Sequence, residues 1–96
     1  MTNIDDGWDK FITLCVNINK KQQLSDLLKV MLTPEEYDNI AKRMLILEAL
    51  IKDEWSQREM ADKLNVSIAK ITRGSNELKR MPPAVREVFE RFFAGG

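Results

Sequence analysis

The sequence has no histidine and a single cysteine, Cys15. These two shortages remove the commonest catalytic and metal-binding arrangements, and no Cys/His or carboxylate group has metal-ligand spacing. Cys15 has no second cysteine for an internal disulfide, which fits a reducing compartment and plain core packing. The only glycines are Gly7, Gly74, Gly95 and Gly96, so no glycine-rich loop is present to cradle a phosphate. The paired acids Glu35-Glu36 and Asp53-Glu54 fall at expected helix ends, where solvated carboxylates are usual. The chain does not read as an enzyme, and no cofactor is expected. No apolar run approaches the roughly 18 residues of a membrane span, so no membrane partner is expected. The opening Met1-Thr2-Asn3-Ile4-Asp5-Asp6 is acidic and lacks a signal-peptide pattern, which gives a cytoplasmic expectation.

What is present is an ordinary globular composition, 44% apolar and 31% charged, in 96 residues. That length fits one domain, residues 1–96. A domain this small buries a limited fraction of its surface, and oligomerisation is one remedy. Net charge is zero, but the charges are unevenly spread. Residues 1–40 carry four Lys and seven Asp/Glu (4 − 7 = −3), and residues 41–80 carry nine Lys/Arg and six Asp/Glu (9 − 6 = +3). A basic face at one end is therefore available, without a strong field.

Hydrophobic periodicity divides the chain into helices. Residues 5–20 start at Asp5 or Asp6 and repeat Trp8, Phe11, Ile12, Cys15 and Ile18 at three- and four-residue spacing, an amphipathic helix with one buried stripe. Lys20 to Gln23 read as a polar break. Residues 24–32 form a short helix that is apolar around most of its circumference. Such a helix needs cover on more than one side, which a second copy of the chain can supply. Thr33-Pro34-Glu35-Glu36 is a capping box with proline at the first helical position. The helix it opens runs to about Lys52, with Ile40, Met44, Leu47, Leu50 and Ile51 as its buried stripe. A last helix, 83–94, follows Met81-Pro82-Pro83 and carries Val85, Val88, Phe89 and Phe92. No strand pattern occurs.

Residues 57–80 carry the chemistry. Ser56 and Glu59 form a second capping box opening a helix over 57–64. Asn65 suits a left-handed turn, and Ser67 caps a further helix over 68–79. Met60, Leu64, Val66 and Ile71 point inward together, and Ala61 is small where the two helices cross. This spacing matches a helix-turn-helix, although Gly74 stands where that motif usually has an apolar residue. On the second helix Ile68, Ala69, Lys70 and Thr72 take the N-terminal outward part, the end that enters a major groove. Gln57 and Arg58 open the first helix and can reach a base edge or a phosphate. Ordinary solvated polar residues are the alternative reading of the same positions.

The motif Met31-Leu32-Thr33-Pro34-Glu35-Glu36, then Arg43, then Ser56-Gln57-Arg58-Glu59, then Ile71-Thr72-Arg73-Gly74-Ser75-Asn76 with Leu78-Lys79, resembles the tryptophan-operon repressor family. The resemblance covers about residues 24–82, while the first and last helices match in character only. It implies an all-α, six-helix fold forming an intertwined homodimer that binds palindromic double-stranded operator DNA. L-Tryptophan is implied as corepressor, its indole between the guanidinium groups of Arg43 and Arg73, a favourable stacking arrangement. Arg73 is also implied to pair with the ligand carboxylate. The carbonyls of Val30 and Leu32 are implied to receive its ammonium group. Thr33 is implied to contact the ligand while capping its helix, and Gly74 to leave room beside the indole. Lys79 joins the implied DNA contacts.

Three positions depart from that pattern. Glu77 stands where relatives have a small residue, often serine, lining the ligand site. It lies one turn after Arg73, within reach of an ion pair, and its sign of action on the ligand is open. Leu45 and Ala61 stand where some relatives carry basic residues, which implies fewer phosphate contacts and a shallower salt dependence. A related helix-turn-helix regulator with another effector, or none, is the alternative.

Overall fold

The computed structural model describes residues 3–95. Six helices follow one another: α1 (Ile4–Asn17), α2 (Lys21–Met31), α3 (Pro34–Lys52), α4 (Gln57–Leu64), α5 (Ile68–Arg80) and α6 (Pro83–Ala94). Among the described residues there is no strand. Contacts divide the chain into two compact units, one running to Tyr37 and one from Asp38 onward.

The first unit holds α1, α2 and the start of α3. Its caps are local. The Asn3 side chain accepts from the Asp6 N–H at 3.0 Å, and Asp6 returns the bond to the Asn3 N–H at 3.0 Å. The cap is thus Asn3, two residues before the expected Asp5, because the capping side chain must stand just outside the helix to reach the third N–H, and Asp5 and Asp6 lie within the first turn. Helix α1 ends at Asn17, with Ile18 already extended. Helix α2 starts at Lys21, inside the expected polar break, and the Gln22 amide donates to Asp26 at 2.9 Å. Polar residues are good helix formers, and a break read from polarity alone is weak. The Thr33 hydroxyl accepts from the Glu36 N–H at 3.1 Å, and the Glu36 carboxylate accepts from the Thr33 N–H at 2.8 Å. Those bonds hold the Glu36 carboxyl below the ordinary glutamate range, the backbone N–H of Thr33 contributing most.

Helices α1 and α2 are amphipathic, yet neither contains a fully buried residue. Trp8 is 64% exposed, its ring tilted 43° to that of Phe11 with centroids 5.9 Å apart; Val30 is 82% exposed. The expected stripe Trp8–Phe11–Ile12–Cys15–Ile18 exists on one face, but none of it is fully buried: Phe11, Cys15 and Ile18 are partly buried, and Trp8 and Ile12 are exposed.

The second unit has a true core in two clusters. Ile46, Ala49, Met60 and Ile71 form the first, with Leu50, Trp55, Ala61, Leu64 and Val66 packed around it; Ile71 is fully enclosed. Leu47, Leu78 and Phe93 form the second, flanked by Leu50, Ile51, Met81 and Phe89. The inward group expected around Met60, Leu64, Val66 and Ile71 is therefore present. The α3 stripe is different from that expected: Ile46, Leu47 and Ala49 are buried, while Ile40 and Met44 are exposed. This helix is apolar on more than one side, and α4 and α5 cover only one of them. In α6 the buried aromatic is Phe93, whereas Val88 and Phe92 face solvent.

The loop between α4 and α5 is set by one residue. Asn65 sits at φ 53°, ψ 50°, the left-handed conformation that asparagine tolerates. The chain then turns through Val66, whose N–H donates to the Ala61 carbonyl at 3.1 Å. Across α3 and α5, a Cβ built on Gly74 would lie 2.8 Å from Ile46 Cγ2. Glycine is needed there because the two helices approach too closely for any side chain. Ile46 flanks Gly74 at this crossing, and Gly74 also lines the cleft described below.

Candidate functional site

Helix α5 carries two working faces by virtue of its register. Ile71, Gly74 and Leu78 are buried. One step around the helix, Lys70, Arg73, Gly74 and Glu77 recur at i, i+3, i+4 and i+7, the spacing of a single helical stripe. This stripe lines a cleft of about 440 Å³. Helix α3 supplies the facing wall with Asn39, Arg43, Ile46 and Leu47, and Met81 and Phe89 complete the lining. The volume falls within the range of small-molecule sites. The floor is apolar, and the rim holds three cations and one carboxylate.

Those rim charges are not consumed internally. The ion pairs among the described residues are Lys42–Asp38, Lys52–Glu48, Arg86–Glu90 and Arg91–Glu87, and none involves Arg43, Lys70, Arg73 or Glu77. The Arg73–Glu77 pair expected from their one-turn spacing is thus not formed. Arginine N-terminal to glutamate is the less favourable order on a helix, since each charge then opposes the helix dipole. Two guanidinium groups on different helices above an apolar floor are suited to a planar aromatic ring between them.

Of the residues expected to bind a ligand, the structure brings Arg43, Arg73, Gly74 and Glu77 to this cleft. Val30, Leu32 and Thr33 belong to the first unit. There Leu32 is the C-cap of α2, its N–H donating to the Leu28 carbonyl at 2.8 Å. Lys70 was expected on the outward, groove-facing part of α5, and it lines the cleft. Periodicity also holds the missed lining residues: Asn39, Ile46 and Leu47 stand at −4, +3 and +4 from Arg43 on α3 and share its face.

The other exposed groups sit at two helix starts. Ser56 caps α4, its hydroxyl accepting from the Glu59 N–H at 3.2 Å while Glu59 accepts from the Ser56 N–H at 3.1 Å. The Glu59 carboxyl is thereby held below its ordinary range, the Ser56 backbone N–H contributing most. Ser67 caps α5, accepting from the Lys70 N–H at 3.2 Å. These caps fix the directions of both helices, and Gln57, Arg58, Ile68, Ala69, Lys70, Thr72 and Lys79 are all exposed on them. On α4 the Lys63 ammonium lies 4.7 Å from the centroid of the half-buried Trp55 ring.

The chain matches the family described as Trp repressor protein over residues 6–92. It belongs to that family. Proteins named Trp operon repressor homolog are similar along most of their length. The one from Chlamydia trachomatis serovar D is 42% identical over 87 residues, covering 91% of this chain and 93% of its own. That of Vibrio parahaemolyticus is 40% identical over 80 residues, 83% and 78% of the two chains. That of Mannheimia succiniciproducens is 46% identical over 81 residues, 83% and 79%. Trp repressor proteins are transcription regulators rather than enzymes, and the six-helix, strand-free architecture is consistent with their fold. Among the described residues, no helix is long and apolar enough to cross a membrane.

Proposed function

We propose that this chain is an L-tryptophan-dependent transcriptional repressor of the cytoplasm, binding palindromic operator DNA as a homodimer. The observation that carries the reading is the double use of α5. Its outer surface exposes Ile68, Ala69 and Thr72 close to its capped N-terminus, while Arg73, Gly74 and Glu77 line the cleft against α3. A ligand in that cleft touches the reading helix itself. In this reading α4 and α5 are the helix-turn-helix, residues 57–80, and α5 enters the major groove. Gln57, Arg58, Lys70 and Lys79 contact phosphates or base edges beside it.

The indole of L-tryptophan lies between Arg43 and Arg73, and its carboxylate pairs with Arg73. Val30, Leu32 and Thr33 are further ligand contacts on the strength of the family resemblance. Tryptophan favours one orientation of the two reading helices of the dimer, that in which both fit successive grooves about 34 Å apart. It can do so only through a higher affinity for that arrangement than for the others. Dimerisation is supported by the unburied apolar faces of α1 and α2, which a single chain leaves in water.

The test is selection of double-stranded DNA from a random pool with tryptophan present, then gel shifts of the selected duplex with and without it. Palindromic sites bound only with tryptophan are expected. Equal binding in both states removes the switch. Sedimentation as a monomer at micromolar concentration removes the dimer.

A further inference from the structure

Helix α5 ends differently from the other helices. In α1, α2, α3, α4 and α6 the residue after the helix turns its backbone N–H back onto a carbonyl of the last turn. At the end of α5 that residue is Met81, and among the described residues it makes no such bond. Pro82 and Pro83 follow, and neither has an N–H to give. A common C-terminal motif would bond the N–H of position 82 to the carbonyl of Leu78. Here a side chain from the next helix takes that place. Arg86, half-buried near the start of α6, donates from Nη1 to the Leu78 carbonyl at 3.4 Å. Its Nε also lies 3.8 Å from the Glu90 carboxylate, one turn further along α6. A cation at the C-terminal end of a helix suits the helix dipole as well.

The Leu78 carbonyl is one end of a lever. Gly74 marks the close crossing of α5 over α3. From there Leu78 lies about 6 Å along the axis, and Ile68 about 9 Å the other way. Play at the Leu78 end is therefore enlarged at the Ile68 end. We infer that Arg86 is a positioning residue for DNA reading: it fastens the C-terminal end of α5 to α6 and so limits the swing of the N-terminal end. This rests on the reading of α5 as the DNA-reading helix and of its cleft as the effector site. Arg86 is not among the residues lining that cleft, so it acts through α5. Without the clasp, α5 has more freedom to lose when a ligand or a groove fixes it. Whichever binds first does most of that ordering, and the second meets a helix already fixed. Loss of Arg86 therefore weakens tryptophan binding, and weakens operator binding chiefly where tryptophan is scarce.

The test compares the natural chain with Arg86→Met, Arg86→Gln and Arg86→Lys. The first two remove the bond, one with an apolar side chain and one with a polar side chain too short for the span. The third keeps a cationic donor. Calorimetry reads tryptophan affinity, gel shifts of the duplex selected with the natural chain are run at scarce and saturating tryptophan, and hydrogen exchange follows the amides of α4 and α5. The Arg86→Met and Arg86→Gln variants are expected to bind tryptophan about fivefold more weakly, with faster exchange in α5 and little change in α4. Their operator affinity is expected to fall at scarce tryptophan and to return to within about twofold of the natural chain at saturation. The Arg86→Lys variant is expected to recover most of both losses. A lower Tm with unchanged tryptophan affinity and unchanged α5 exchange overturns the inference, since Arg86 then only adds stability. An operator loss equal at scarce and saturating tryptophan overturns it too. If Arg86→Met does not fold, Arg86→Gln decides; failure of both to fold overturns the inference, because Arg86 then holds the unit together rather than aiming α5. No tryptophan heat and no tryptophan-dependent shift in the natural chain removes the effector reading and this inference with it, while α5 exchange in the variants shows separately whether the clasp holds the helix.

Discussion

The two units of this chain are built from similar helices and differ in what covers them. In the second, α4 and α5 are locked on the α3 segment by side chains such as Ile46 and Ile71, which are 3% and 0% exposed. In the first, α1 and α2 have equally clear apolar faces, and no residue of either is fully buried. Helical amphipathicity says that a face needs cover; it does not say that the same chain provides it. The exposed starts of α4 and α5 and the cleft between α3 and α5 both lie in the second unit. In the proposed homodimer, a second copy would complete the unit that lacks a core.

The sharpest way to break this comparison is to make the same deletion in both places. Ile71→Ala should lower unfolding free energy by about 2–5 kcal/mol, the usual range for a large-to-small change in a packed core, measured by urea denaturation. Ile12→Ala, on the half-open face of α1, should cost far less at low protein concentration. Its effect should grow with protein concentration if the face is covered by a second copy. Equal, concentration-independent losses at both sites would erase the distinction between the units.

Next in size is the close crossing of α3 and α5. Gly74→Ala should destabilise by about 1–3 kcal/mol, because the new methyl meets the buried, β-branched Ile46. Combined with Ile46→Ala, which removes the opposing Cγ2, the loss should be smaller than the sum of the two single changes. Additive losses would mean that α5 is free to shift, and that the second unit is looser than its burial indicates.

Smaller again is the turn between α4 and α5. The positive-φ non-glycine residues among those described, Asp53 and Asn65, both fall in the second unit. Asn65→Ala should cost about 1 kcal/mol and Asn65→Gly should not, as read by thermal unfolding. The reverse order would show that the asparagine amide, rather than its backbone, holds the turn.

The smallest effect compares one cap from each unit. Glu36 and Glu59 both have carboxyls lowered by bonds to their capping residues. A carboxyl that is more acidic when folded contributes stability above its unfolded value, and loses it as pH falls through the folded one. Glu36→Gln and Glu59→Gln should therefore each flatten the decline in stability on the acid side of the glutamate range and leave alkaline stability unchanged. A response from Glu59 alone would show that the first unit is already open before acid reaches it.

Much of this architecture was legible in the residues. The bounds of α4 and α6 follow from Ser56, Asn65 and Pro83, and α5 runs only one residue further than its periodicity predicts. Those ends are set by local caps and prolines, which act within a few residues and leave their mark in the sequence. Apart from the starts of α1 and α2, the misread positions depend on partners distant in the chain. Which side of α3 is buried is decided by α4 and α5, and so Ile46 and Ala49 take the place expected of Ile40 and Met44. At the site, Arg43 and Arg73 are named by the family resemblance, and both line the cleft. Lys70 is exposed at the start of α5 and also lines the cleft, a second neighbourhood that only the placement of α3 defines.

Trp8 and Trp55 are the only tryptophans, and they fall one in each unit. Trp8 stands largely in water, and Trp55 is half-buried beneath the Lys63 ammonium. The protein thus carries two natural fluorophores in contrasting solvents. Trp8 should emit at longer wavelength than Trp55 and be the more easily quenched by iodide. Trp8→Phe leaves a lamp on the core, and Trp55→Phe leaves one on the open helix. With the second variant, a blue shift on raising protein concentration would report the covering of α1 without any added label.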